Sequence, residues 1–189
     1  MNTQTHAVLN LALLGRRNRP EWNPLIIWGA LIPDLAMFFF YAYYQFGTDI
    51  EGSQIWQTEY FRSDWQLVFD VFNSIPLAIL GLSLMLYAKR TGIALLFASV
   101  LLHCVEDLPL HNDDAHRHFL PISDYRFISP VSYWDTAYYG HIVMIVEVIV
   151  LAAASIYVFK RVRSRWTKGL LIVANALLPL AYLWFAVLA

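Results

Sequence analysis

Five stretches of this chain are apolar enough and long enough to cross a bilayer, and nothing else in the sequence limits its fold as tightly. A hydrocarbon core of roughly 30 Å takes about 20 helical residues. The candidates run near Trp22 to Phe46, Gln66 to Ala88, Thr91 to Leu108, Ala137 to Phe159 and Thr167 to Leu188. Composition agrees, since 59% hydrophobic and only 14% charged residues with a mean hydropathy of +0.50 lie outside the soluble balance. Gln4 to Leu14 is different: it is helical in pattern but only about 16 Å long at 1.5 Å per residue. It is expected to form a half-membrane, re-entrant or interfacial helix. The expected fold is therefore all-α, one polytopic transmembrane helical domain over residues 1–189 with five full spans plus the short N-terminal half-membrane helix.

The basic residues set the expected orientation. Arg16, Arg17 and Arg19 precede the first span, Lys89 and Arg90 separate the second and third, and Lys160, Arg161, Arg163, Arg165 and Lys168 separate the fourth and fifth. Ten of the thirteen lysines and arginines thus fall on one face, which the positive-inside rule makes cytoplasmic. The opposite loops, roughly Gly47 to Trp65 and Leu110 to Thr136, are acidic, and the second is a His/Asp-rich outer loop over 110–136. Trp22 and Trp166 at the inner edge, with Trp56, Trp65 and Trp134 at the outer, fit aromatic belts. The opening residues carry no basic leader segment, so the N-terminus is expected in the mature protein. The net charge of −1 gives no reason to expect a nucleic-acid partner, and the single cysteine, Cys104, excludes a thiolate zinc knuckle.

Chemistry concentrates between His103 and His118. His103 and Asp107 stand at i and i+4, so on a helix they share one face and can hold one metal ion or bond each other. Pro109 ends the span soon after, and His111, Asp113, Asp114, His116 and His118 follow in a loop where imidazoles and carboxylates can turn toward an ion. Arg117 between two histidines equally suits anion contact. Asp34, after the helix-bending Pro33, joins Asp70, Asn73, His141 and Glu147 as polar groups inside spans, where ionisable residues carry function by default. Glu147 suits a proton relay or helix packing as well as ligation, and Asn10 and Asn175 read as hydrogen-bonding residues between helices. Counted from the basic boundary, His6 lies about 15 Å deep, Asp34 about 18 Å, His103 about 20 Å and Asp107 about 25 Å. Asp70 and His141 fall within about 8 Å of the opposite boundary, so all six occupy one layer between the midplane and the outer surface.

The opening Asn2-Thr3-Gln4-Thr5-His6, the segment Leu31-Ile32-Pro33-Asp34 and the His103-x3-Asp107 pair resemble the bacterial family of LexA-regulated, membrane-bound metal-dependent hydrolases. That family is distantly similar to zinc-dependent phospholipase C and the zinc single-strand nucleases. The resemblance implies a zinc-dependent hydrolase in the bacterial cytoplasmic (inner) membrane, with a site facing the periplasm or exterior. It also implies metal ligands at His6, Asp34, His103, Asp107, His111 and His141. Two positions depart from the pattern: Ile145 stands where a second acid would follow His141, and Met1 replaces an early tryptophan.

The leading expectation is hydrolysis of a phosphoester or lipid-linked phosphate, with one or two divalent ions, zinc above all, activating water. Asp34 or Asp107 would act as base, and Arg117 or Arg126 would hold the phosphate. A metal or proton transporter is the alternative, and it requires a continuous polar path that the inner half, with Ser99 and Asn175, barely supplies. A membrane assembly protein whose polar residues only join helices is the third reading, and it leaves the 111–118 cluster without a purpose.

Overall fold

The structure, a computed structural model, describes residues 1–188. Its helices are α1 (Thr3–Leu14), α2 (Asn23–Gly47), α3 (Gly52–Gln57), α4 (Ser63–Phe72), α5 (Ile75–Tyr87), α6 (Thr91–Asp107), α7 (Gly140–Phe159) and α8 (Arg165–Leu188), and no strand occurs among the described residues. Among the described residues, three helical runs are long and apolar enough to cross a membrane: Pro20–Gly47, Ser63–Tyr87 and Gly140–Phe159. The other two expected spans are also helices, but α6 has only 17 residues and ends in Glu106 and Asp107. At 1.5 Å per residue that is about 25 Å, short of a full crossing.

The run Ser63–Tyr87 is interrupted, and the interruption positions the loop after α6. Pro76 has no N–H to donate and its ring disfavours a continuous helix through the preceding turn. The chain therefore ends α4 at Asn73 and restarts at Ser74, whose hydroxyl caps α5 by accepting from the Leu77 N–H. Backbone groups freed in this way need partners where water is scarce. The loop provides them: Ile75 N–H donates to the His118 carbonyl at 2.9 Å, and the Asn73 carbonyl accepts from His118 Nδ1 at 2.9 Å.

Close backbone approach joins α2 to α6. A methyl group on Gly29 would overlap the Leu96 carbonyl and come within 2.8 Å of Ser99 Cβ, so only glycine fits this crossing. Beside it Ser99 Oγ donates to the Ile26 carbonyl at 2.6 Å, and Asn10 Nδ2 donates to Ser99 Oγ and to the Ser99 carbonyl, both at 2.9 Å. These bonds tie α1, α2 and α6 together, as the sequence suggested for Asn10. Asn175 behaves likewise, donating to Ser155 Oγ at 2.6 Å across α8 and α7.

α1 is a short central post. Its lower part packs Val8 and Leu11 against Leu151, Ala154 and Val158 of α7 and Leu171 and Leu178 of α8. Its upper end is pinned by polar bonds. The Asn2 N–H and Nδ2 donate to the two oxygens of Glu147 at 2.8 and 3.0 Å, and Tyr182 OH donates to Glu147 Oε2 at 2.7 Å. Glu147 thus serves helix packing, one of the three roles its position suggested. A separate aromatic cluster, Phe40, Tyr44, Tyr60 and Phe69, fills the space beneath α3 at the opposite end from the basic segments.

Candidate metal centre

Asp107, the last residue of α6, sits where α1, α2, α6 and the loop meet. Helical geometry turns it toward His103 one turn earlier. Its Oδ1 accepts from the Met1 amino group at 2.6 Å and lies 2.9 Å from His6 Nε2. Its Oδ2 lies 3.0 Å from His103 Nε2 and 3.5 Å from His111 Nε2. His6, His103 and Asp107 are all buried and offer three ligand atoms within 4.8 Å of one another. Asp34 completes the group from α2, with Oδ1 3.6 Å from His103 Nε2 and Oδ2 accepting from the Thr3 hydroxyl at 2.5 Å.

The outward-facing atoms of the imidazoles are fixed from behind. His103 Nδ1 meets the Ala30 carbonyl at 2.7 Å, one residue beyond the Gly29 carbonyl that Pro33 cannot satisfy. A ring that donates through Nδ1 presents a lone pair at Nε2. His6 Nδ1 meets Glu106 Oε2 at 2.7 Å in the same manner. The His6 and His103 rings stack at 3.7 Å between centroids.

His103 Nε2 is buried and has no hydrogen-bond partner among the described residues, although Asp107 Oδ2 is only 3.0 Å away. With the ring proton on Nδ1, neither atom has a proton to share, so the two face each other at bonding distance without bonding. Burying a polar atom unpaired costs roughly 1–3 kcal/mol. Lone pairs of nitrogen and carboxylate oxygens converging on one point are what a cation neutralises, and imidazoles with carboxylate are a donor set that can hold a metal ion. On this observation the residues fit a divalent ion.

A second group lies above the first, in the loop. His111 Nδ1 stands 2.9 Å from Asp114 Oδ2, off the bonding direction, and both His111 nitrogens, His116 Nδ1 and His118 Nε2 are buried without hydrogen-bond partners. The His116 ring lies 5.4 Å from His111 and 5.8 Å from His118 by centroid, a wider arrangement than the first group. Burial opposes charge on His111, but the Asp107 and Asp114 carboxylates overcome it and push its pKa up to about 9. Burial, reinforced by the His111 and His118 charges, pushes His116 down to about 3, so that ring stays neutral. The group is held from outside by Asp70, which accepts from the Arg117 N–H at 2.7 Å and from Arg117 Nε at 2.6 Å.

Of the expected ligands, His6, Asp34, His103, Asp107 and His111 come together. His141 does not: it is exposed in the first turn of α7, because the buried face of that helix runs through Gly140, Glu147, Leu151 and Ala154. Arg117, expected to hold a phosphate, is engaged by Asp70 and by Asp124, whose Oδ1 lies 2.9 Å from Nη1. Arg126 is likewise taken by the Ala115 carbonyl and Gln66. Both arginines fasten the loop, and neither lines the cavity beside the metal group. The sequence did not mark out Glu106, the Met1 amino group or Thr3, since each acts through a contact more than thirty residues away. His118 carried a signal in its pairing with His116, and the loop is more ordered than a solvated surface, with Ser129 N–H donating to His111 and Tyr133 N–H to Leu110.

A cavity of about 260 Å³ opens over these groups, lined by the first residues of α1, by Asp34, Met37 and Phe38, by Tyr60 and Phe69, and by His111, Asp114, His116 and Tyr133. Comparison with protein families, with curated proteins and with solved structures finds no match to this chain.

Proposed function

We propose that this protein is a membrane-embedded, metal-dependent hydrolase of a phosphoester or lipid-linked phosphate, multi-pass in a bacterial inner membrane, with its site in the outer half. The observation that carries the reading is the gathering of His6, His103, Asp107 and Asp34 beside a cavity that Asp34 and His111 line, with His103 Nε2 left buried and unbonded 3.0 Å from Asp107 Oδ2. His6, Asp34, His103 and Asp107 would hold one zinc ion, and His111 with Asp114 stand where a second would bind. Bound zinc supplies an acidified water and neutralises charge on a phosphoryl oxygen.

The residues divide the remaining work. Asp107 already accepts two hydrogen bonds on Oδ1, from the Met1 amino group and His6, and its Oδ2 is hemmed in by His103 and His111, so it is a poor proton acceptor. Asp34 is less occupied, lines the cavity and is oriented by the Thr3 hydroxyl, which makes it the better base for a water held beside it. Tyr133, Tyr60 and Phe69 restrict water on the far wall. Beneath His103, the Asn10–Ser99–Ile26 bonds and the apolar lower half of α1 close the bundle, which supports a one-sided pocket over a conduit.

Two measurements on detergent-purified protein test the reading. Wild type should carry about one or two zinc ions per chain and turn over a phosphoester panel. The His103→Ala, Asp107→Ala double variant should lose both. Protein that moves metal across liposomes yet hydrolyses nothing would overturn it in favour of a transporter.

A further inference from the structure

We propose that the cavity opens sideways into the leaflet on the loop side, and that its substrate is a phosphate ester carrying a long hydrocarbon chain, taken directly from the lipid phase. The chemistry of the ester rests on the hydrolase reading; the route does not.

Two independent observations point to it. Phe38 lines the cavity and is also 49% exposed on α2, beside Phe39 at 69%. Both stand near the middle of a 25-residue helix within one of the runs able to cross a membrane, with Gly47 nine residues beyond Phe38. That surface faces hydrocarbon, so the cavity reaches the lipid-facing side of α2 with Met37 and Phe38 as its lip. The second observation is the shortness of α1. Its first residues form the floor, and Asn2 bonds Glu147 seven residues into α7. At 1.5 Å per residue the post stops about 10 Å below the loop-side end of α7. α1 therefore separates α2 from α7 only up to the level of the metal group.

The lining fits an amphiphile. Met37 and Phe38 offer apolar contact to a chain, while Asp34, His111, Asp114 and His116 gather at the inner side. No lysine or arginine lines the cavity among the described residues, and its cationic groups, the Met1 amino group and His111, already face Asp107 and Asp114, so little there draws a soluble polyanion from water. Chain burial supplies the binding that such side chains would otherwise give, at roughly 25 cal/mol per Å² of apolar surface.

The test places a nitroxide at Gln4→Cys, or at Met37→Cys should the first variant fold poorly, in a Cys104→Ser background reconstituted into phospholipid vesicles. Phe39→Cys and Asp113→Cys are the lipid-facing and water-facing references. Relaxation by oxygen, which concentrates in lipid, is compared with relaxation by a water-soluble nickel chelate. The cavity label should show an oxygen-to-nickel ratio close to that of Phe39 and severalfold above that of Asp113; a ratio matching Asp113 overturns the route. A second arm gives wild type a diacyl phospholipid, a polyprenyl phosphate and a soluble aryl phosphate. One chain-bearing ester should be turned over at least about tenfold faster than the aryl phosphate, an effect that one or two methylenes in a pocket can produce. Which one wins identifies the lipid, and a faster aryl phosphate overturns the substrate class. No turnover of any of the three, with a lipid-like label, removes the hydrolase reading and upholds the sideways opening.

Discussion

The polar groups of the two halves of the bundle are treated differently. In the half nearer the basic segments, Asn10, Ser99 and the Ile26 carbonyl exchange hydrogen bonds, as do Asn175 and Ser155, and among the described residues the amide oxygens of Asn10 and Asn23 are left over. In the half nearer the loop, His103, His111, His116 and His118 each bury at least one ring nitrogen without a bond, even where a carboxylate stands at bonding distance. Bonded pairs in lipid join helices. Unbonded ones are costly, and persist where a bound group repays them. Polarity within a membrane bundle is thus a weak sign of function, whereas unsatisfied polarity is a strong one.

The largest effect should come from removing what holds the strained half in place. Asp70 is fully buried against Arg117 and approaches Arg126 at 3.6 Å. Asp70→Ala leaves a partly buried guanidinium without its carboxylate and should cost on the order of 3 kcal/mol. Denaturant titration in detergent would measure the loss, and hydrogen exchange should locate it in residues 110–126. A loop that stays protected would mean that its histidines are held by other contacts, and the contrast between the halves would need another cause.

A smaller effect should follow when the support behind one ligand is weakened. Glu106→Gln keeps a hydrogen bond to His6 Nδ1 but removes the charge that fixes the ring. Losing such an outer partner typically costs 10–100-fold in metal affinity. Zinc titration should show a fall in that range with the helical content unchanged; an unaltered affinity would place His6 outside the coordination set.

The smallest effect belongs to the satisfied half. Asn10→Ala removes one interhelical pair, for which about 0.6 kcal/mol is typical in membrane bundles. Zinc content should not change. If it does, the seal beneath His103 is coupled to the metal group, and the two halves are not independent.

The sequence made the framework legible because hydrophobic length and an i, i+4 pair are local properties. The helices fall where the apolar runs do, and His103 with Asp107 shares a face as their spacing requires. Depth along each span then placed His6 and Asp34 at the same level, and the structure brings His6 to Asp107 and Asp34 to His103. Azimuth was not legible. His141 has the right depth but lies on the exposed face of α7, and rise per residue carries no information about which way a face points in the bundle. Nor could spacing show that Pro76 would break the second run and draw the loop into the gap, which is what buries His118 and turns Arg117 toward Asp70.

The post formed by α1 has a consequence for how the chain is made. At 12 residues it is too short to hold itself across a bilayer, and the partners of its polar tip arrive in turn: Asp34 for Thr3, Asp107 for Met1, and then Glu147 and Tyr182 for Asn2, 145 and 180 residues later. A ribosome delivers Asn2 well before the last two of these, at about 5–20 residues per second. During those seconds α1 can dock on α2 and α6 but waits for the bonds that α7 and α8 supply. A chain halted before α8 should therefore insert its earlier spans and bring His6, Asp34, His103 and Asp107 together, yet hold the tip of α1 without the Tyr182 bond.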